Sequence, residues 1–390
     1  MKKKVAILGS TGSIGKTLFN IIKKDKKNFD VELLTGDKNY KELIKQAKLL
    51  KVKNLIITDQ NSYLIVKKKK IKNINIYNNF LSFKKIFKKK IDYVMSSIIG
   101  LDGLSPTLKI IRYTKNIAIA NKEAIICGWN LIDKELKRNK TKFIPVDSEH
   151  FSIWSLINNK DHSDIKRIYI TASGGPFLLT PKRKFSKITV KQALKHPTWK
   201  MGKKISIDSA TLMNKIFEVI EAKNIFNLSY DKISILIHPN SYVHAIVELN
   251  NGLTKILIHE TSMYIPIYNT LYHDKNNKLI KSNKINLKKL NNLNLSSPNL
   301  NRFKSLNIKK FLPNKVSLFE TILITANDEI VRLFLKNKIR FNQIIPLIIK
   351  IIKKKEFSKF KKITPKNLEK ITKLSRLVRL KIESLVYKLS

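Results

Sequence analysis

Cysteine is almost absent from this chain. Cys127 is the only one in 390 residues, which excludes an intrachain disulfide framework and fits a reducing compartment. Acidic residues are scarce as well, 28 Asp+Glu against 78 Lys+Arg, for a formal net charge of +50. Long apolar runs are missing: a stretch such as Ile344–Ile349 falls well short of the roughly 18 residues a membrane span needs. The run Val5–Leu8 breaks at Gly9, too short for a secretory core. A soluble protein of a bacterial-type cytoplasm, without a membrane partner, is therefore expected. What is present in quantity is apolar surface, 43% of residues, which excludes disorder as the main state.

A charge of this size invites nucleic-acid binding, because a basic face releases counterions on meeting phosphates. Arginine argues against it: only 9 of the 78 cations are arginine, the residue that reads bases and phosphates bidentately. Lysine, isoleucine and asparagine are all heavily used, the mark of a drifted coding bias. The excess is also uneven, since residues 205–280 carry six Lys against seven Asp+Glu, a net of −1. No specific nucleic-acid partner is expected, and the near-neutral stretch is the place to search for chemistry.

Apolar segments Val5–Leu8, Val31–Leu34, Leu55–Ile57, Tyr93–Ser96, Ile117–Ala120 and Phe143–Val146 alternate with helical patterns. That alternation predicts an α/β, Rossmann-like N-terminal domain over 1–147. Strand-like runs at Arg167–Thr171, Ile233–Ile237, Tyr242–Leu249 and Leu253–His259, with a strong helix over Met213–Phe226, predict a central α+β domain over 148–272. An Asn-, Lys- and Ser-rich stretch, 273–300, reads as a linker, and 301–390 as a small C-terminal helical domain.

Glycine is rare, 11 in all, and eight of them fall in four clusters: Gly9, Gly12 and Gly15; Gly100 and Gly103; Gly174 and Gly175; and Gly202. Gly9-x-x-Gly12-x-x-Gly15 between a strand and a helix has the spacing of a dinucleotide phosphate loop, to which Ser10, Thr11 and Ser13 add hydroxyls. The bland alternative is a Gly-rich connection that binds nothing. After the second strand come Asp37 and Lys38, which point opposite ways, an acid favouring a ribose 2′-hydroxyl and a cation a 2′-phosphate.

Asp147 and Glu149 follow a strand, and in an extended segment i and i+2 share a face. Asn214, Lys215 and Glu218 group on one side of their helix. Three carboxylates, Asp147, Glu149 and Glu218, suit Mg²⁺ or Mn²⁺, although an Asp-x-Glu alone is usually a solvated pair. Ser173-Gly-Gly-Pro176 and Asp208-Ser209-Ala-Thr211 offer hydroxyls and amides for a phosphate; equally, Asp208, Ser209 or Thr211 could cap a helix. His196–Gly202, with Trp199, reads as a lid or as core. His238 and His244 read as structural.

Together these stretches closely resemble the 1-deoxy-D-xylulose 5-phosphate reductoisomerase family. The matching pieces are Gly9–Gly15, Gly100–Leu108, Ala120–Glu123, Pro145–His150, Ala172–Phe177, His196–Lys204, Ile207–Thr211, Met213–Lys215 with Glu218, and Ile237–His244, in family order. The resemblance implies an NADPH- and divalent-metal-dependent oxidoreductase and isomerase of the non-mevalonate isoprenoid pathway, acting as a homodimer. Its reaction would be retroaldol and aldol rearrangement of 1-deoxy-D-xylulose 5-phosphate, then reduction to 2-C-methyl-D-erythritol 4-phosphate.

By that resemblance Thr11, Gly12, Ser13, Ile14, Lys38, Asn39, Asn121, Glu123 and Gly202 would contact NADPH. Asp147, Glu149 and Glu218 would hold Mg²⁺ or Mn²⁺. Lys122, Ser148, Glu149, Ser173, His196, Trp199, Ser209, Asn214, Lys215 and Glu218 would bind the sugar phosphate, with Lys122 and the three carboxylates at the chemistry. The chain departs from the family pattern at Asp37, where glycine is usual, at Ile216 after Asn214-Lys215, at Thr261–Tyr264 and at Ile324–Asp328.

Overall fold

The computed structural model of the chain describes residues 1–157, 162–199, 201–274 and 286–387. The chain folds as two compact units. One comprises Met1–Ile125, Leu131–Phe151 and Met263–Ile280; the other comprises Ile126–Asn130, Ser152–Ser262 and Lys281–Ser390.

In the first unit, β1 (Lys3–Leu8), β2 (Phe29–Gly36), β3 (Asn54–Ile57), β4 (Asn75–Tyr77), β5 (Ile91–Ser96), β6 (Thr114–Ile119) and β7 (Lys142–Pro145) form one sheet. Its order is β4-β3-β2-β1-β5-β6-β7, with every neighbouring pair parallel. Parallel strands covered on both faces need apolar residues at successive positions, and Val5, Ala6, Ile7 and Leu8 are all fully buried. The expected Rossmann-like α/β architecture is the one formed. Strand β4 is not among the expected segments, because three residues in an Asn-rich stretch carry no apolar run. Strand order reverses between β1 and β5, and in such sheets ligands bind outside the carboxyl ends of the strands at that switch point. The Gly9 loop leaves β1 there.

Helix Tyr264–Leu271 also belongs to this unit. Thr270 Oγ1 lies 2.9 Å from Tyr93 Oη on β5, and Lys3 Nζ donates to Leu271 O at 2.8 Å and to Asp274 at 2.8 Å. The sequence division runs the middle domain to 272, whereas residues 263–274 pack on the first sheet because their polar groups find partners on β1 and β5.

In the second unit, β8 (Ile165–Ala172), β9 (Ile233–Ile237), β10 (Val243–Leu249) and β11 (Thr254–Ile258) form a sheet of order β11-β10-β8-β9. Only β8 and β9 run parallel. Helix Met213–Phe226 packs on β8 and β9. It is buried almost all round, including Lys215, Glu218 and Glu221, so a helix without an exposed polar face carries charges inside the unit. Helices Phe319–Leu335, Ile344–Ile352 and Leu368–Tyr387 pack together and belong to this same unit. Of the stretch read as a linker, 275–285 lies outside the described residues; after it come helix Leu287–Asn291 and a bridge from Ser296 to Ile237.

Candidate functional site

Gly9 opens the loop after β1 with φ +80°, a left-handed conformation that glycine adopts without strain. Gly15 is required for a different reason: a Cβ there would stand 2.4 Å from Gly9 O and 2.5 Å from Ser10 Cα. The first turn of helix Ser13–Lys24 therefore lies directly on the loop. Its N-cap is Gly12, and among the described residues no side chain caps it; leading amides left without a side-chain partner are the arrangement that suits an anion. Thr11, Gly12 and Ile14 are half-buried and Ser13 is exposed.

Ser10 does not serve as the hydroxyl donor that the motif suggested. It is fully buried, and Ser10 Oγ donates to Gln46 Oε1 at 2.7 Å while Gln46 Nε2 donates back to Ser10 O at 3.2 Å. Gln46 is a residue that sequence reasoning missed, and its one signal was a polar side chain on the buried face of helix Tyr40–Leu50, beside Leu43 and Ala47. Gly9 N donates to Thr35 Oγ1 at 2.8 Å and Ser10 N to Thr35 O at 2.9 Å, so the loop is pinned to the end of β2. Asp37, Lys38 and Asn39 follow β2 and are exposed, Asn39 capping the next helix through the Glu42 amide.

Asn121 caps helix Lys122–Arg138 by accepting from Ala124 N at 2.7 Å and donates to Gly100 O at 2.7 Å and to Ile98 O. It ties the Gly100 loop to the start of the helix that carries buried Lys122 and Glu123. Lys122 Nζ lies 3.1 Å from Asp147 Oδ2. Asp147 and Glu149 converge as expected, with a carboxylate oxygen of each within 4.8 Å of the other, but not as an extended i, i+2 pair. Asp147 O accepts from Phe151 N at 2.8 Å, and Glu149 stands in the first turn of helix Ser148–Ile157. A carboxylate in that position favours the helix start. Ser148 Oγ donates to Glu149 Oε2 at 2.6 Å.

Asp147 and Glu149 belong to the first unit; Glu218 belongs to the second. There, Glu218 accepts from Asn214 Nδ2 at one oxygen and from Lys215 Nζ at the other. Lys215 and Glu218 are 4% and 1% exposed, so the helix places the expected trio together in an interior where a charge needs its partner. Ile216 is fully buried: the bulky departure from the family pattern packs into the core on the opposite side.

Ser173, His196 and Ser209 form a second group. His196 Nε2 lies 3.2 Å from Ser173 Oγ and 3.0 Å from Ser209 Oγ, while Gly175 N donates to Ser173 Oγ at 3.1 Å. His196 Nδ1 accepts from Thr198 N at 3.2 Å and Trp199 N at 3.0 Å. Those two amides commit Nδ1 as an acceptor, which leaves the proton on Nε2 facing the hydroxyls. Burial pushes the imidazole down to about 4, so it is neutral at pH 7.

Of the three capping candidates, Asp208 and Ser209 lie inside helix Lys203–Ala210 and cap nothing, whereas Thr211 Oγ1 accepts from Met213 N at 3.4 Å at the head of helix Met213–Phe226, whose N-cap Leu212 makes no side-chain bond. Asp208 instead receives Lys204 Nζ at 2.9 Å and Asn327 Nδ2 at 2.8 Å, and Lys204 also pairs with Asp328 at 3.1 Å. This brace gives Asn327 and Asp328, the second a departure from the family pattern, a structural role that spacing did not disclose. Trp199 meets His244 edge-on at 6.1 Å between ring centroids; His244 is buried and stacks on His259 at 3.6 Å, and His238 is fully buried. Gly202 caps helix Lys203–Ala210 by its backbone alone.

Residues 5–128 match the family model described as 1-deoxy-D-xylulose 5-phosphate reductoisomerase, 143–226 that of its C-terminal domain, and 258–381 that of the DXP reductoisomerase C-terminal domain. The 1-deoxy-D-xylulose 5-phosphate reductoisomerase of Pelagibacter ubique (strain HTCC1062) is 58% identical over 387 residues, 98% of this chain and 99% of the relative. Among solved structures, the reductoisomerase from Zymomonas mobilis in complex with NADPH superposes with a TM-score of 0.88 at 30% identity, over 99% of both chains. A DOX-P reductoisomerase in complex with NADPH, fosmidomycin and magnesium superposes with a TM-score of 0.90 at 30% identity, over 99% of this chain and 98% of that one. The chain belongs to the 1-deoxy-D-xylulose 5-phosphate reductoisomerase family.

Proposed function

We propose that this chain rearranges 1-deoxy-D-xylulose 5-phosphate by retroaldol cleavage and aldol rejoining and reduces the product to 2-C-methyl-D-erythritol 4-phosphate. It is an NADPH- and divalent-metal-dependent oxidoreductase of isoprenoid precursor synthesis. Thr11, Gly12, Ser13, Ile14, Lys38, Asn39, Asn121, Glu123 and Gly202 bind NADPH. Asp147, Glu149 and Glu218 hold Mg²⁺ or Mn²⁺. Most of the cofactor residues lie on 1–147, with Gly202 added from the middle segment, and most of the substrate residues lie on 148–272, with Lys122 added from the first.

The residues fit both groups. Uncapped amides at the start of helix Ser13–Lys24, beside glycines that keep the loop thin, suit a pyrophosphate. Carboxylate oxygens suit a hard cation. The observation that carries the metal reading is that Asp147 and Glu218 each draw an ammonium, Lys122 and Lys215, in a protein poor in acids. When bound, the ion supplies Lewis acidity to the substrate oxygens and NADPH supplies the hydride.

The chain's own residues bind and orient. Lys122 brings positive charge to the reacting oxygens. Ser173, Ser209, Asn214 and Lys215 donate to the sugar phosphate, whose anchoring provides remote binding energy for orientation. Neutral His196 donates through Nε2 without carrying a charge that would compete for the carboxylates. Ser148 fixes one oxygen of Glu149, and Trp199 covers the substrate and excludes water. The protein acts as a homodimer in the cytoplasm; among the described residues no helix is long and apolar enough to cross a membrane.

Product analysis with NADPH, Mg²⁺ or Mn²⁺ and 1-deoxy-D-xylulose 5-phosphate tests this reading. Wild-type protein is expected to form methylerythritol phosphate, and Glu218→Gln to lose roughly a hundredfold or more in kcat/KM while still binding NADPH. Equal turnover by the two proteins, or NADPH oxidation indifferent to exhaustive chelation, would overturn the metal assignment.

A further inference from the structure

Asp37 and Lys38 stand side by side after β2, where a Rossmann sheet reads the adenosine ribose, and their charges oppose each other. Both are exposed, yet the structure treats them differently. Asp37 Oδ1 accepts a hydrogen bond from Thr58 Oγ1 at 2.9 Å, and Thr58 N donates to Gly36 O at 3.0 Å. Thr58 follows β3, at the head of a turn that is itself fixed. Asp59 accepts from Ser62 N at 2.9 Å as the cap of helix Gln60–Lys68, and buried Ser62 reaches back from that helix to Lys38 O at 3.4 Å. The segment after β2 is thus laced to the turn after β3 at three successive residues: the Gly36 carbonyl, the Asp37 carboxylate and the Lys38 carbonyl.

This lacing separates the two charges. The Asp37 carboxylate is turned toward β3 and has one oxygen engaged; Asp59, the other nearby acid, accepts from the Ser62 amide, and its carboxyl is held low first by the Ser62 hydrogen bonds and then, more weakly, by the Lys38 charge. Lys38 Nζ makes no hydrogen bond or ion pair among the described residues. An untethered carboxylate at position 37 has two ways to act on a cofactor: it accepts from a ribose 2′-hydroxyl, and it neutralises Lys38 or repels a 2′-phosphate. Specificity is a difference of affinities, so a residue that removes one option shifts it without touching the ligand.

We propose that Thr58 is a positioning residue for cofactor choice: it holds the Asp37 carboxylate on the β3 side and leaves Lys38 to receive the 2′-phosphate. This rests on the reading of the Gly9–Gly15 loop as an NADPH site. Without the threonine hydroxyl, the acid swings to the ribose, NADPH loses and NADH gains.

Dissociation constants for NADPH and NADH, measured by cofactor fluorescence without substrate or metal, provide the test. Wild type prefers NADPH. Thr58→Val lowers the NADPH-over-NADH affinity ratio by about three- to tenfold, and Thr58→Ser, which keeps the hydroxyl, retains the wild-type ratio. In an Asp37→Asn background, Thr58→Val changes the ratio by less than about twofold, because no charge is left to misplace. A ratio in Thr58→Val within twofold of wild type would overturn the role of Thr58. So would an equal drop in the Asp37→Asn background, where a general loosening of the turn acts alike on both. Wild type binding the two cofactors equally would instead defeat the NADPH reading beneath it.

Discussion

At the scale of the residue, His196 shows how a site group acquires its state. Its sequence context allowed a lid, a phosphate ligand or core. In the structure two backbone amides occupy Nδ1, and two hydroxyls face Nε2. Burial lowers its pKa to about 4, whereas histidine in an unfolded chain titrates near ~6.5. Between those values the unfolded chain takes up a proton that the folded one refuses, so stability is full above about pH 6.5 and is lost as pH falls toward 4. His244 acts in the same direction, its pKa lowered first by burial and then by the neighbouring His259. The urea midpoint is therefore expected to fall between pH 7 and pH 5, and His196→Asn to flatten that fall. An unchanged pH slope in the variant would show that His196 contributes nothing to acid lability. The types and positions of Ser173, His196 and Ser209 were legible in the sequence. Their mutual bonding was not, because it joins side chains from a strand end, a loop and a helix interior.

At the scale of the element, the strands carried by apolar runs formed where expected, since a buried parallel strand leaves an unbroken run of β-branched and aliphatic residues. The exception, β4, is held by pairing to β3 rather than by its own composition. The Asp147–Glu149 segment was read as extended because it follows a strand, yet it starts a helix at once. The glycines separate by what a side chain would meet. Gly15→Ala puts a methyl against the backbone of the loop, and overpacking of that kind costs about 1–3 kcal/mol. A thermal midpoint lower by several degrees is expected, with a loss of NADPH binding, measured by calorimetry and fluorescence titration. Among the described residues, a Cβ at Gly202 meets nothing within 4 Å, and φ is −66°. Gly202→Ala is expected to unfold at the wild-type temperature. If both variants melt alike, packing on the loop does not distinguish the two positions.

At the scale of the whole molecule, the +50 charge is a property of the surface and not of the site. A hollow at the amino ends of the first sheet, lined by Lys2, Lys88 and Lys89 among others, lies at the end of the strands opposite the Gly9 loop. There Lys4 pairs with Glu32, Lys3 with Asp274 and Lys115 with Asp92. Self-repulsion of so many lysines destabilises the compact state, and shortening the Debye length from about 30 Å at 0.01 M to about 8 Å at 0.15 M screens it. The melting temperature is expected to rise over that range of sodium chloride, and DNA binding at low salt to vanish; tight, sequence-selective binding at 0.15 M would contradict the enzyme-only reading. By itself the sequence determined the architecture and the residue types of the candidate site, because burial of a parallel sheet, a thin glycine loop and a set of hard-oxygen donors each restrict residue type at fixed positions along the chain. Only the tertiary structure decided which polar groups are already spent. Ser10 is held by Gln46, Asp208 by Lys204 and Asn327, and Asp37 by Thr58. Such bonds join residues far apart in sequence whose side chains carry no local signature of the partner they will meet.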